Sequence, residues 1–175
     1  MKAMYFARAA LLSCAVALVL SCGDSTPTGV APTTRPAADE TTSLLGLSLL
    51  RCTPMPAAQT TQTIGPDGGT IRVGPHTLRI PAGALAAPTT ITGVAPSDTV
   101  NSVVFSPDGL VFNRPVKLIM SYANCRGLGM LLPKQIVHTT PNLLVILEIL
   151  QSVDNILQRR VSASLGHFST YAVAW

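Results

Sequence analysis

The sequence predicts an all-β protein, a small antiparallel β-domain preceded by a signal peptide and a disordered tether. Three observations carry this. From Gly65 to Tyr122 the chain runs in short apolar alternations, each halted by Gly, Pro, Asp or Asn, which is the pattern of half-buried strands joined by tight turns. No apolar spacing of helical period persists through that stretch. Upstream, Gly23 to Ser43 (GDSTPTGVAPTTRPAADETTS) has no aromatic and no repeated large apolar residue, so it cannot bury enough surface to fold. The 175 residues leave room for one domain and its appendages.

The first 21 residues read as an export signal. Lys2 and Arg8 form a positive n-region, and Ala9 to Leu20 is an apolar run too short to span a bilayer. The run ends in Val19-Leu20-Ser21-Cys22. This resembles the lipobox of bacterial lipoproteins, with a branched aliphatic residue three before Cys and a small residue just before it. The resemblance implies cleavage before Cys22, diacylglycerol on its sulfur and acylation of the new amine. The lipid on Cys22 is then the membrane partner. Residues 1–21 become the lipoprotein signal peptide and 22–43 the lipidated tether. Some 20 extended residues reach roughly 60–70 Å, so the domain would stand off the membrane. Gly23 follows the Cys where Asp would suggest inner-membrane retention, and by analogy the outer membrane is the expected address. Residues 44–60 are a lead-in. Leu44 to Leu50 (LLGLSLL) suits a strand by its odd positions and a helix by Leu44, Leu47 and Leu50.

Of four cysteines, Cys14 leaves with the signal and Cys22 takes the lipid. Cys52 and Cys125 remain as an even pair in an oxidising compartment, and a disulfide between them is expected. Charged residues make up only 11% of the chain, and removing residues 1–21 leaves 10 Lys+Arg against 8 Asp+Glu. The sequence pI near 9.1 is therefore partly the export signal. Only Arg159-Arg160 are adjacent, so nucleic acid is not an expected partner.

Within residues 61–175 the elements follow one another closely. Pro66-Asp67-Gly68-Gly69 is a turn, Thr70 to Val73 and His76 to Ile80 are alternating strands, and Pro81 ends the second because it cannot donate to a ladder. Thr89 to Ala95 is a Thr-rich strand. Val103 to Phe105 and Leu110 to Phe112 flank a Ser-Pro-Asp-Gly turn. Pro115 to Tyr122 is the clearest strand, with Val116, Leu118, Met120 and Tyr122 facing one way. Gly127 to Pro133 is a loop and Gln135 to Thr140 a strand. Residues 143–157 are ambiguous between strand and helix; two strands around a turn at Ser152 to Asn155 are preferred. Val161, Ala163 and Leu165 alternate, and Phe168 to Trp175 closes the sheet.

Gly68-Gly69, Ile80-Pro81, Gly83-Ala84-Leu85, Gly109-Leu110, Phe112 and Pro115-Val116 form an ordered pattern over Thr61 to Tyr122. That pattern resembles the ZU-five domain, named for zonula occludens proteins and netrin receptors and also found in ankyrins. His167 to Tyr171 resembles the close of such domains. The resemblance implies a β-sandwich with a scaffolding or protein-binding role, and it carries over no particular ligand.

Single residues point to little chemistry. His76, His138 and His167 each stand alone on a strand-like segment, without two-His metal spacing. Asp67 and Asp108 sit in Pro-Asp-Gly turns, where Asp bonds local backbone. Glu148 is solitary in an aliphatic run. Tyr122, Tyr171 and Trp175 could stack on a glycan, although packing suits them better. No catalytic residue, metal or cofactor is expected. The expected function is a non-enzymatic envelope lipoprotein presenting a sandwich for protein-protein or structural interactions. Two alternatives stand beside it. One is a carbohydrate-binding module. The other is self-cleavage, because some ZU-five-like domains cut themselves at His-Phe-Ser. Carried onto His167-Phe168-Ser169, Ser169 would attack the Phe168 carbonyl, with His167 assisting proton transfer.

Overall fold

The computed structural model describes residues 47–175. The signal peptide, Cys22, the tether and Leu44 lie outside the described residues. Among the described residues, eleven strands form two antiparallel sheets that pack face to face. They are β1 (Ala58–Ile64), β2 (Gly69–Val73), β3 (His76–Ile80), β4 (Thr89–Ala95), β5 (Ser102–Ser106), β6 (Val111–Ser121), β7 (Gln135–Thr139), β8 (Ile146–Ile149), β9 (Ser152–Asn155), β10 (Arg160–His167) and β11 (Thr170–Ala174). One sheet has the order β1-β4-β5-β11-β7-β8 and the other β2-β3-β6-β10-β9. The all-β sandwich is thus the observed architecture.

The alternations become the inner faces. Ile71, Val73, Leu78, Val116, Leu118, Met120, Val161 and Leu165 are sealed in one sheet, and Ile91, Val103, Phe105, Ile136, Tyr171 and Val173 face them from the other. In the Thr-rich β4, Ile91, Gly93 and Ala95 point inward. Gly93 allows close approach of the sheets: a Cβ there would lie 2.5 Å from Val73 Cγ2. On the outer side, Thr61 and Thr63 of β1 share hydroxyl hydrogen bonds of 2.9 Å with Thr92 and Thr90. That ladder explains the threonines, because cross-strand hydroxyl pairs stabilise an edge that water can reach.

Two readings need correction. Leu110 to Phe112 and Pro115 to Tyr122 are not two strands; most of both lies in the single long β6. Pro115 is tolerated because the β6–β10 register breaks between Val116 and Val111, so no partner there needs its missing N–H. Ser152 to Asn155 is strand β9, and the turn lies at residues 156–159. Its small polar residues bond to the rest of the domain: Ser152 Oγ accepts from Ile136 N–H at 2.9 Å, and Asp154 accepts from Tyr122 Oη at 2.5 Å and Lys134 N–H at 2.9 Å. The last strand completes the larger sheet from within. β11 runs through the interior of the larger sheet, between β5 and β7, and Phe168 precedes it in a break after β10. Tyr122 and Tyr171 pack in the core, as their sequence reading prefers: each is 1% exposed.

The lead-in is extended. Leu49 bridges Ala174, Arg51 bridges Val100, and Cys52 bridges Cys125. Leu50 joins the main core, whereas Leu49 covers Ala172, Ala174 and Val137 on the outer face of the larger sheet. β1 begins at Ala58, so the sheet starts before residue 61. Cys52 and Cys125 are joined by a disulfide with Cα atoms 4.1 Å apart and a sequence separation of 73. Closing a loop of that length stabilises the fold by about 4 kcal/mol in the chain-entropy account. Beside it, Asn101 and Asn124 exchange side-chain amide hydrogen bonds of 2.7 and 2.9 Å.

Gly68 joins two parts of the ordered Gly/Pro pattern. Its φ is +77°, and a Cβ there would meet the Ile80 carbonyl oxygen at 2.3 Å. Gly68→Ala should cost at least about 2 kcal/mol, from left-handed backbone strain plus the clash. Urea unfolding of the two proteins measures it, and equal midpoints would refute it.

His76 sets a pH dependence. It is 1% exposed, its Nδ1 accepts from Ser121 N–H at 3.2 Å, and its Nε2 has no partner. Burial lowers its pKa from 6.5 to about 4. The unfolded chain therefore binds the proton more readily than the folded one. The stability is fully present above pH 6.5 and drains as pH falls towards 4. Over that window the loss should be about 3 kcal/mol from this group. Urea midpoints taken between pH 7 and pH 4 should fall accordingly, and a flat profile would contradict the buried neutral imidazole.

Candidate functional site

The Phe168 peptide is the best-defined polar arrangement at the rim of the sandwich. Phe168 is fully buried between Phe105, stacked at 5.1 Å, and Phe112, edge-on at 4.8 Å. Such ring pairs add about 0.5–1.5 kcal/mol each beyond the area they bury. With Phe168 held inward, its half-buried neighbours His167 and Ser169 turn towards β7.

There they meet His138. Ser169 Oγ lies 2.8 Å from His138 Nε2. The His138 and His167 rings are 5.2 Å apart, nearly edge to face. Glu148 of β8 pairs in register with His138, and Tyr171 of β11 pairs with it from the other side. The Tyr171 hydroxyl donates to the His167 carbonyl at 2.7 Å. His138, Glu148 and His167 bring their ligating atoms within 4.8 Å of one another.

The Phe168 carbonyl oxygen accepts from Gly109 N–H at 3.1 Å, and His167 Nδ1 lies 3.2 Å from it. An oxygen can only accept, so that contact requires the Nδ1–H tautomer of His167. Gly109 belongs to the Pro107-Asp108-Gly109 turn and has φ +72°. Asp108 therefore has a turn position, as its sequence context indicates, but its charge also reaches the site.

Electrostatics keep His138 neutral. Burial lowers its pKa first and the neighbouring His167 adds to that, while Glu148 and Asp108 oppose it. Burial raises the Tyr171 hydroxyl, and the same two carboxylates reinforce the rise, so it remains a protonated donor. The site thus combines a serine hydroxyl on a neutral imidazole, a carbonyl with donors on two sides, and a carboxylate at its mouth.

The sequence reading of isolated histidines is corrected here. His138 and His167 are 29 positions apart in the chain, and only the β7-β11 pairing with the β10–β11 junction brings them together. Glu148 is likewise not solitary in space. Within His167-Phe168-Ser169, the imidazole on the serine is that of His138, not of His167. His76 stays apart, buried on β3.

A second juxtaposition lies on the outer face of the smaller sheet. Arg72, Arg79 and Arg160, with Thr70 and Thr77, line an open, polar cavity of about 710 Å³. These arginines are scattered in sequence and converge because β2, β3 and β10 flank β6 or one another in one sheet.

No protein-family model and no curated protein matches the chain.

Proposed function

We propose that this protein is a cell-envelope lipoprotein, anchored through Cys22, whose ZU-five-like sandwich engages a protein partner through its exposed β8 and β9 edges. The observation that carries this is the aliphatic character of those edges. β8 ends one sheet and β9 ends the other, so each has an unpaired row of backbone donors and acceptors. Leu144, Val145 and Leu147 on and before β8 are 51–56% exposed, and Val153, Ile156 and Leu157 on and after β9 are 55–98% exposed. Exposed edges usually carry charge or proline to prevent pairing; aliphatic edges suit strand addition by a partner. The glycan alternative lacks comparable support. Tyr122 and Tyr171 are buried, and none of the aromatic residues among the described residues is exposed.

Two experiments test the parts separately. Mass spectrometry of the mature N-terminus should find acylated Cys22, and an unmodified peptide running through Ser21-Cys22 would end the lipid assignment. Leu147→Lys with Val153→Lys should reduce capture of envelope protein at least about tenfold, since charge at an apolar contact costs more than 1.4 kcal/mol. Folding should be unchanged, because the two side chains are 56% and 72% exposed. Undiminished capture would remove the edges from the interface.

A second reading, self-cleavage between Phe168 and Ser169, gains support from the geometry at that peptide. Ser169 Oγ would attack the Phe168 carbonyl carbon while His138 Nε2 takes its proton. Gly109 N–H and His167 Nδ1–H would stabilise the oxyanion. Collapse would break the C–N bond, with the proton delivered to the Ser169 amine, and leave an ester on Ser169. Water would then hydrolyse the ester to a Phe168 carboxylate and a free Ser169 hydroxyl. The seven-residue product would remain as β11, held between β5 and β7. Intact mass under denaturing conditions decides the matter. A complete C-terminus after prolonged incubation rules the reaction out. If the tail is cut, Ser169→Ala should abolish cutting and His138→Ala should slow it by about 10²–10⁴.

A further inference from the structure

We propose that His138, Glu148 and His167 form a binding site for one divalent transition-metal ion of the zinc class. The three side chains come from three strands, β7, β8 and the end of β10, and so from both sheets. Their ligating atoms already lie within 4.8 Å of one another. Around tetrahedral zinc, with bonds of about 2.0–2.2 Å, ligand atoms stand about 3.3–3.5 Å apart. Small side-chain rotations close that difference, and Glu148 is exposed and free to make them.

The donor chemistry selects the metal. Two imidazoles and one carboxylate suit zinc and its neighbours, whereas magnesium and calcium require oxygen ligands. Three protein ligands leave a fourth position for water. The surroundings are also those of a metal site. His167 directs Nδ1 at the Phe168 carbonyl, and that hydrogen bond leaves the Nε2 lone pair available to a metal. His138 has Ser169 Oγ on its Nε2, so the ring is oriented by a hydroxyl and can ligate through Nδ1, or through Nε2 once the serine turns away. Glu148 and Asp108 place negative potential on His138, which favours a cation. A bound ion would tie β10 of one sheet to β7 and β8 of the other, so binding should stabilise the fold.

The test uses the full chain in detergent micelles with the Cys52–Cys125 bond intact, and zinc or cobalt chloride alone as probe. Calorimetry should give one zinc per chain, with no saturable heat from magnesium or calcium. Cobalt should produce the visible absorption of a tetrahedral site. His138→Ala and His167→Ala should each weaken zinc at least about tenfold, and the double variant should not bind. Zinc should raise the melting temperature of the wild type and leave the double variant unmoved. Absent saturable binding, or wild-type affinity in both single variants, overturns the proposal. Should the variants fail to fold, imidazole NMR of the wild type decides. Zinc must shift the ring signals of His138 and His167 and spare buried His76; any other pattern refutes the site. The cleavage reading is judged on the covalent mass alone, so either can fail without the other.

Discussion

The burial of one side chain, Phe168, governs the C-terminal third of this molecule. The chain leaves β10 in one sheet and enters β11 in the other, and Phe168 is the residue that crosses the layer between them. Wedged between Phe105 and Phe112, it removes a large apolar surface from water, a gain of about 2–3 kcal/mol. Alternation then leaves no choice for its neighbours. His167 and Ser169 must face the rim, and the rim at that point is lined by His138 and closed by Glu148. A packing decision in the core thus creates the polar cluster outside it.

The same crossing makes the fold non-local. β11 is hydrogen-bonded to β5 on one side and β7 on the other, so the larger sheet is incomplete until the end of the chain is in place. The lead-in then continues the β5 side of β11, through Leu50 N–H to the Val173 carbonyl at 2.9 Å and reciprocal bonds between Ser48 and Trp175. The disulfide anchors that lead-in to the residues following β6. Both ends of the described chain are therefore tied into one sheet. The β8 and β9 edges receive no comparable cover; β9 is held by its pairing with β10, and Asp154, by accepting from Tyr122 and Lys134, ties it to the rest of the domain.

Polar groups inside the fold differ in how well they are served. Asp154, Asn101 and Asn124 have two or more partners each. Lys134 is buried, donates to the Leu132 carbonyl and lies over the Tyr122 ring at 5.5 Å. Burial pulls its pKa down and Asp154 pulls it back. His76 has one partner for two nitrogens, and it is the group whose protonation the core resists. The rim cluster is different again, because its histidines are reachable from solvent and a carboxylate stands at its mouth.

The sequence by itself determined most of the strands, their inward residues and the disulfide pair, because these depend on local alternation, turn residues and cysteine parity. Ile71, Val73, Leu78, Ile80, Val116, Leu118 and Met120 are all buried as their spacing requires. Locality also explains the errors. Ser152 to Asn155 carries turn residues, yet it becomes a strand because its polar atoms satisfy Ile136, Tyr122 and Lys134, which are distant in sequence. Pro115 reads as a boundary, yet a register break on β10 removes the need for its N–H. The candidate site was legible only as the tripeptide His167-Phe168-Ser169. Its other members, His138, Glu148 and Gly109, enter through pairings between strands far apart in the chain, and no spacing along a sequence encodes which strands will be neighbours. That choice belongs to the packing of the two sheets, where the burial of Phe168 decides which side chains face one another.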